Sequence, residues 1–242
     1  MTKWLLALCL AWAAPAVAGV RIETKVTADS DRPAVDTVVK FQGDNFRVDR
    51  LDPTGTFMNG TIFHDDRMMI LDGRSKTYHE MTLEQLKSQM AAFEAAEQQM
   101  SPEMRKRIQD QMTSAAAYSF KRTSGGDKIA GFACENYQIL KDGKENGTAC
   151  LVPWKSSGVL HKEDLAPMKK FIDQVKSISK LSPGDVEISR FDEWPGWPAL
   201  MRAPDGHERS RLVKVTRTDI PAKEFDPPAD YTAQKLPPMP VH

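Results

Sequence analysis

The chain has 242 residues, 40% of them hydrophobic, with 33 basic side chains balanced by 33 acidic ones. That length can bury a sizeable core without covalent staples. The charge balance, with no block of either sign, leaves no basic footprint for nucleic acid. No stretch approaches the ~20 apolar residues of a spanning helix, so the expectation is a protein that does not cross the membrane.

The N-terminus predicts export. Lys3 supplies a short positive region, Trp4 to Ala14 is almost unbroken apolar sequence, and Ala16-Val17-Ala18 provides a small-x-small cleavage site. Residues 1–18 therefore read as a secretory signal, and residues 19–242 as a single domain with a proline-rich tail from about 236. Cys9 is not a lipidation site, because Leu8 before it is not small. With Cys9 removed, Cys134 and Cys150 are the two cysteines left. In an oxidising compartment such as the periplasm they are read as a disulfide, with two buried thiols as the alternative.

The first third of the mature chain predicts a meander of hairpins. Val20, Ile22, Thr24 and Val26 alternate onto one face. Gly43-Asp44 is a two-residue loop between Asp36–Gln42 and Asn45–Arg50. That loop places Phe41 opposite Phe46 and Val39 opposite Val48, with Lys40 facing Arg47 on the other side. The like-charged pair is a mild conflict unless its face is solvated. Asn59-Gly60 reads as a turn between Phe57-Met58 and Ile62-Phe63, followed by strands at Arg67–Leu71 and Lys76–Met81.

From Thr82 the period becomes helical. Leu83, Leu86, Met90, Phe93 and Ala96 form one stripe, and Thr82 with Gln85 makes a capping box. Ser101-Pro102 restarts a helix carrying Met104, Ile108 and Met112, which gives a helical hairpin. Two apolar runs then flank an Asp142-Gly143 and Asn146-Gly147 turn cluster, with Cys134 facing Cys150 across the hairpin. A further helix is expected over Lys162–Leu181, with Leu165, Met168, Ile172, Val175 and Ile178 inward. Strands follow at Val186–Phe191, Trp197–Arg202 and Arg209–Arg217.

No catalytic motif, cofactor-binding loop or metal-ligand spacing is present in the sequence. His64 with Asp65 and Asp66 reads as a solvated turn, and His79, His161 and His207 as isolated surface residues. Asn59-Gly60-Thr61 and Asn146-Gly147-Thr148 match the glycosylation sequon, which turn geometry explains without a sugar. Two features rise above this background. Methionines cluster from Met58 to Met112, and such side chains adapt to variable apolar partners or simply fill gaps. Trp194-Pro195-Gly196-Trp197-Pro198 is a rigid loop whose indoles are candidates for a protein-contact surface or for inward packing.

Asp127-Lys-Ile-Ala-Gly-Phe-Ala-Cys134-x-x-Tyr137, closing on Val152-Pro153-Trp154, resembles the signature of a bacterial periplasmic family of unknown function. That family is related to the outer-membrane lipoprotein carriers, LolA and LolB. Ile62–Asp65 with Met69–Asp72 and Lys76–Met81, Gly196-x-Pro198, and Phe225-x-Pro227-Pro228-x-x-Tyr231 extend the resemblance over most of the mature chain. It implies an α+β fold: a curved antiparallel sheet, an open half-barrel, with a helical hairpin and a further helix over its concave face. It also implies a non-enzymatic protein whose sheet–helix groove takes an apolar ligand, an acyl chain or a lipoprotein. The groove candidates are Phe41, Phe46, Phe63, Met69, Met90, Phe93 and Met104. The alternative is an envelope interaction or sensor module with a filled core, contacting a protein partner through Trp194 and Trp197.

Overall fold

A computed structural model describes residues 18–27, 34–104, 118–155, 158, 160–178 and 194–235. The signal segment to residue 17, the stripe residues Ile108 and Met112, the strand expected at 186–191 and the tail from 236 lie outside them.

The alternating first third forms six strands in an up-and-down meander: β1 (Gly19–Val26), β2 (Val35–Gln42), β3 (Asn45–Leu51), β4 (Phe57–His64), β5 (Arg67–Asp72) and β6 (Thr77–Thr82). A second meander comprises β7 (Tyr118–Ile129), β8 (Phe132–Lys141), β9 (Lys144–Pro153), β10 (Gly196–Arg202) and β11 (Glu208–Thr218). β11 returns to pair with β1, which joins the two meanders. The last strand, β12 (Thr232–Gln234), adds to β6 in parallel, the one parallel pairing among the described strands. The result is one curved, unclosed sheet of 12 strands, in the order β12-β6-β5-β4-β3-β2-β1-β11-β10-β9-β8-β7. This is the α+β half-barrel that the resemblance implies.

The first hairpin has the register that its loop dictates. Phe41 faces Phe46, Val39 faces Val48 and Lys40 faces Arg47. The Asn-Gly pairs behave otherwise. Asn59 and Gly60 lie inside β4, where a Cβ on Gly60 would sit 2.8 Å from the Val48 carbonyl oxygen. Gly147 likewise lies inside β9, against the Arg202 carbonyl, and the hairpin turn is made by Asp142-Gly143. Both glycines serve close backbone approach between strands instead of a turn.

Helix α1 (Leu83–Gln99) starts at the expected capping box. The Thr82 amide donates to Gln85 Oε1 at 2.8 Å, and the Gln85 amide donates to Thr82 Oγ1 at 3.1 Å. Helical backbone resumes at 102–104, with the Met104 amide donating to Ser101 Oγ at 3.3 Å. A 3₁₀ turn (Lys162–Leu165) leads into α2 (Ala166–Ile178), which lies on the concave face.

Candidate functional site

Sheet register sorts the candidate groove residues by face. Phe41, Phe46, Phe63, Met68 and Met81 form one cross-strand row, because each is the ladder partner of the next. Phe171 of α2 caps this row, with its ring 5.8 Å from Phe46 and 5.1 Å from Phe63, while Phe46 and Phe63 stack at 5.6 Å. Phe41, Phe46 and Phe63 are consequently core, at 2%, 4% and 1% exposure. They form a filled wall, not an open one. Phe171 is absent from the sequence-derived candidates, although its i+3 spacing from Met168 places it on the buried stripe.

Met69 does not join them. It pairs with Ile62 on the opposite face and is buried there with Leu71 and Phe225. Met90 and Phe93 lie on α1, with side chains outside the described residues, and Met104 is exposed. The seven groove candidates therefore do not converge on one cleft among the described residues.

The neighbouring row on the concave face is different. Ile22, Val39, Val48, Thr61 and Ile70 are successive ladder partners across β1 to β5. Ile22 is fully buried, Val39 and Val48 are half-buried against the main core, and Ile70 is 43% exposed. This row forms an apolar band that α2 leaves partly open. Ion pairs hold α2 at its edge: Lys170 Nζ reaches Asp44 at 3.0 Å and Asp66 at 3.8 Å, tying the helix to two hairpin turns. The hydrogen bond to Asp44, then that carboxylate's charge, raises the Lys170 pKa. Arg217 on β11 donates to Asp164 Oδ2 at 2.6 Å, anchoring the 3₁₀ turn before the helix.

The opposite face of β2 to β5 is covered by the C-terminal segment. Ile220 and the fully buried Phe225 pack on Ile62, Met69 and Leu71. Here the Lys40–Arg47 conflict is resolved by acceptors that match both cations. Arg47 Nε donates to Asp49 at 2.7 Å, Lys40 Nζ donates to Glu224 at 2.8 Å, and an Arg47 Nη donates to the Glu224 carbonyl at 2.9 Å. The Lys40 hydrogen bond, then its charge, lowers the Glu224 pKa below the ordinary glutamate value.

On the far side, Cys134 and Cys150 form a disulfide with Cα atoms 5.3 Å apart. The bridge is diagonal: the residue opposite Cys150 is Asn136, not Cys134. Trp194 and Trp197 are buried, at 3% and 6% exposure, which removes them as a contact surface. Trp197 joins the main core beside Trp154, and Trp194 packs on Phe120 at 4.8 Å. The Trp194 carbonyl accepts a hydrogen bond from Trp154 Nε1 at 2.9 Å. A cavity of roughly 200 Å³ lies nearby, bordered by β7 to β10.

The histidines stay apart. His64 Nδ1 is 2.8 Å from Asn45 Oδ1 and its ring stacks on Phe225, while His79 Nδ1 lies 3.2 Å from the Gln234 carbonyl. Asp65 and Asp66 occupy left-handed turn positions, with φ of 51° and 56°. Among the described residues no cluster of three His, Cys, Asp or Glu side chains could hold a metal ion. No described helix is long and apolar enough to cross a membrane.

None of the curated proteins matches the sequence. Among solved structures, an uncharacterized conserved protein from Thermus thermophilus is similar at 9% identity and a TM-score of 0.46, over 91% of each chain. The MucA/MucB complex structure of Pseudomonas aeruginosa matches at 12% identity and TM-score 0.40, over 89% of this chain and 57% of that one. A LolA superfamily protein from Nitrosomonas europaea matches at 10% identity and TM-score 0.29, over 88% of this chain and 91% of that one. A family model described as a domain of unknown function, DUF4412, matches residues 21–231, and the chain belongs to that family.

Proposed function

We propose that this protein is an exported, non-enzymatic binding protein that holds an apolar chain, the acyl chain of a lipid or lipoprotein, on the concave face beside α2. The observation that carries this reading is the partly open row of Val39, Val48 and Ile70, an apolar strip next to a sealed aromatic wall. A strip of that kind binds by removing apolar surface from water, with little directional chemistry. The N-terminal sequence and the buried Cys134–Cys150 bridge support an oxidising compartment, the periplasm. Titration of the full chain with a fluorescent long-chain fatty acid tests the reading. Ile70→Glu places a charge on the strip and is expected to weaken binding by about tenfold or more. Absence of saturable binding, or indifference to that substitution, would sink the idea.

A second reading, an envelope protein partner, has its own support. β7 is a 12-residue strand that pairs only with β8 among the described residues, so its outer edge can template an added strand. Native mass spectrometry of protein purified from its own envelope separates the two readings. A co-purified lipid mass favours the groove, and a bound polypeptide favours the edge.

A further inference from the structure

We infer that the cavity between β7 and β10 binds a small zwitterionic group, one that carries an anion and an ammonium a few bonds apart, as phosphoethanolamine does. The inference deepens the groove reading by supplying a polar end for the apolar ligand, and its tail component rests on that reading.

The cavity follows from local chain geometry. The β7–β8 register shifts between Arg122 and Gly126, so residues 123–125 leave the ladder, with Gly125 at φ +83°. Such a bulge bends the strand and opens space beside its neighbour. Register then places the polar groups around that space on one face. Thr148 is opposite Arg202 on one row, Asn136, Cys150 and Leu200 share the next, and Asp127 is opposite Cys134. These residues, Cys134 apart, line the cavity.

The side chains of Asp127, Asn136, Thr148 and Arg202 make no hydrogen bond or ion pair with other described residues. Arg211 beside them is committed, donating to Glu208 at 2.6 and 2.9 Å. The groups left for a ligand are one guanidinium, one carboxylate, an amide and the hydroxyls of Thr123 and Thr148. The Arg211 guanidinium lies within electrostatic range of Asp127, and Glu208 is the ladder partner of Arg202. A simple anion entering the cavity would meet Asp127, and a simple cation would meet Arg202. A ligand carrying both charges satisfies both walls, with Asn136 and Thr148 left to bond its remaining oxygens.

Size points the same way. At roughly 200 Å³ the cavity is below the ~300–1,000 Å³ typical of pockets for drug-sized ligands, and suits a headgroup, not a whole lipid. Its floor is apolar. Cys150 and Leu200 belong to the same core cluster as Ile22, against which Val39 and Val48 pack.

Calorimetry on the full chain tests this, using phosphoethanolamine, inorganic phosphate and ethanolamine separately. Two short-chain lipids with identical tails follow, one with a phosphoethanolamine and one with a phosphoglycerol head. Phosphoethanolamine is expected to saturate, while neither half binds at about tenfold higher concentration. Arg202→Gln and Asp127→Asn should each weaken it about tenfold by removing one charge-assisted contact. Both residues are exposed, so thermal midpoints should stay unchanged and exclude misfolding as the cause. If the ethanolamine lipid binds more than about tenfold tighter than the free headgroup, the source is a lipid; equal affinities identify a free zwitterion. No saturation by the zwitterion, or indifference to both substitutions, overturns the site. Lipid binding that ignores the headgroup overturns the site and leaves the groove standing. Headgroup binding with no contribution from the tail overturns the groove alone.

Discussion

The two faces of the sheet across β2 to β5 are closed by different chemistry. On the concave face, Phe46 and Phe63 meet Phe171 in an aromatic cluster, and the helix bearing that ring is tied down by exposed ion pairs at its margin. On the opposite face, the C-terminal segment brings one fully buried ring, Phe225, together with a carboxylate and a carbonyl that satisfy Lys40 and Arg47. The aromatic face is closed by ring packing, with ion pairs only at the margin of the helix, and leaves its neighbouring row partly open. The charged face needs each polar group matched, since an unpaired buried charge costs several kcal/mol. A face closed by packing can tolerate a missing neighbour and so host a ligand. A face closed by matched charges is structural.

The largest expected effect tests that division. Phe225→Ala empties a fully buried site and should cost roughly 3–5 kcal/mol in urea unfolding. Phe171→Ala acts on a half-buried ring and should cost less, about 2 kcal/mol, while enlarging the open band. A Phe171→Ala cost equal to that of Phe225→Ala would mean that the helix face is as rigidly structural as the back. It would count against a ligand there.

Much of this is legible in the sequence wherever neighbours in the chain decide the outcome. The Gly43-Asp44 loop sets the pairing of Phe41 with Phe46, and Thr82 with Gln85 announces the start of α1. What cannot be read is which face each row will find covered. Glu224 reaches Lys40 from 184 positions away, so the Lys40–Arg47 pair, a conflict in the sequence, is a buried, satisfied network in the fold. Met69 sits beside Phe63 among the sequence-derived groove residues, yet adjacent-strand pairing puts Phe63 opposite Met68 and so turns Met69 to the back. Asn59-Gly60 carries a turn signal whose glycine is needed for a different reason, the nearness of Val48. Of the aromatic wall, hairpin register makes the Phe41–Phe46 pair visible, while the pairing of Phe63 and the cap of Phe171 emerge only in the fold. The open row beside it emerges only from how far α2 reaches.

The second meander carries a covalent tie where the first is covered by the C-terminal segment. Replacing Cys134 and Cys150 together by alanine removes a bridge spanning 16 positions, worth about 3 kcal/mol in the chain-entropy model. The loss should appear as a lower urea midpoint, and the intact protein should lose about the same amount under reductant. An unchanged midpoint would place the stability of that half in Trp194 and Trp197 instead. Next in size, Gly60→Ala pushes a Cβ to 2.8 Å from the Val48 oxygen and 3.0 Å from Asp49, and should cost roughly 1–3 kcal/mol by overpacking. A neutral result would show that β3 and β4 can part without loss. The charged back face would then be less tightly matched than its distances indicate.

The smallest effect is electrostatic and separates the two faces by pH. Glu224 ionises more readily in the folded protein than its ordinary value of 4.5, through the hydrogen bond from Lys40, then its charge, with Arg47 and Arg21 adding to it. Asp49 also faces Lys40, at 3.6 Å, so the cluster holds cations and carboxylates together. Because the folded pKa is depressed, the contribution of Glu224 is complete above pH 4.5 and fades as pH falls through the lower folded value. Its side chain is 41% exposed, so solvent screening keeps the contribution below about 1 kcal/mol. Unfolding of the native chain and of Glu224→Gln, followed by urea between neutral and acidic pH, should give midpoints that differ at neutrality and converge under acid. Midpoints that stay equally far apart at every pH would detach the effect from ionisation. The C-terminal segment would then be held by Ile220, Phe225 and the Arg47 bond to the Glu224 carbonyl, without help from the Glu224 charge.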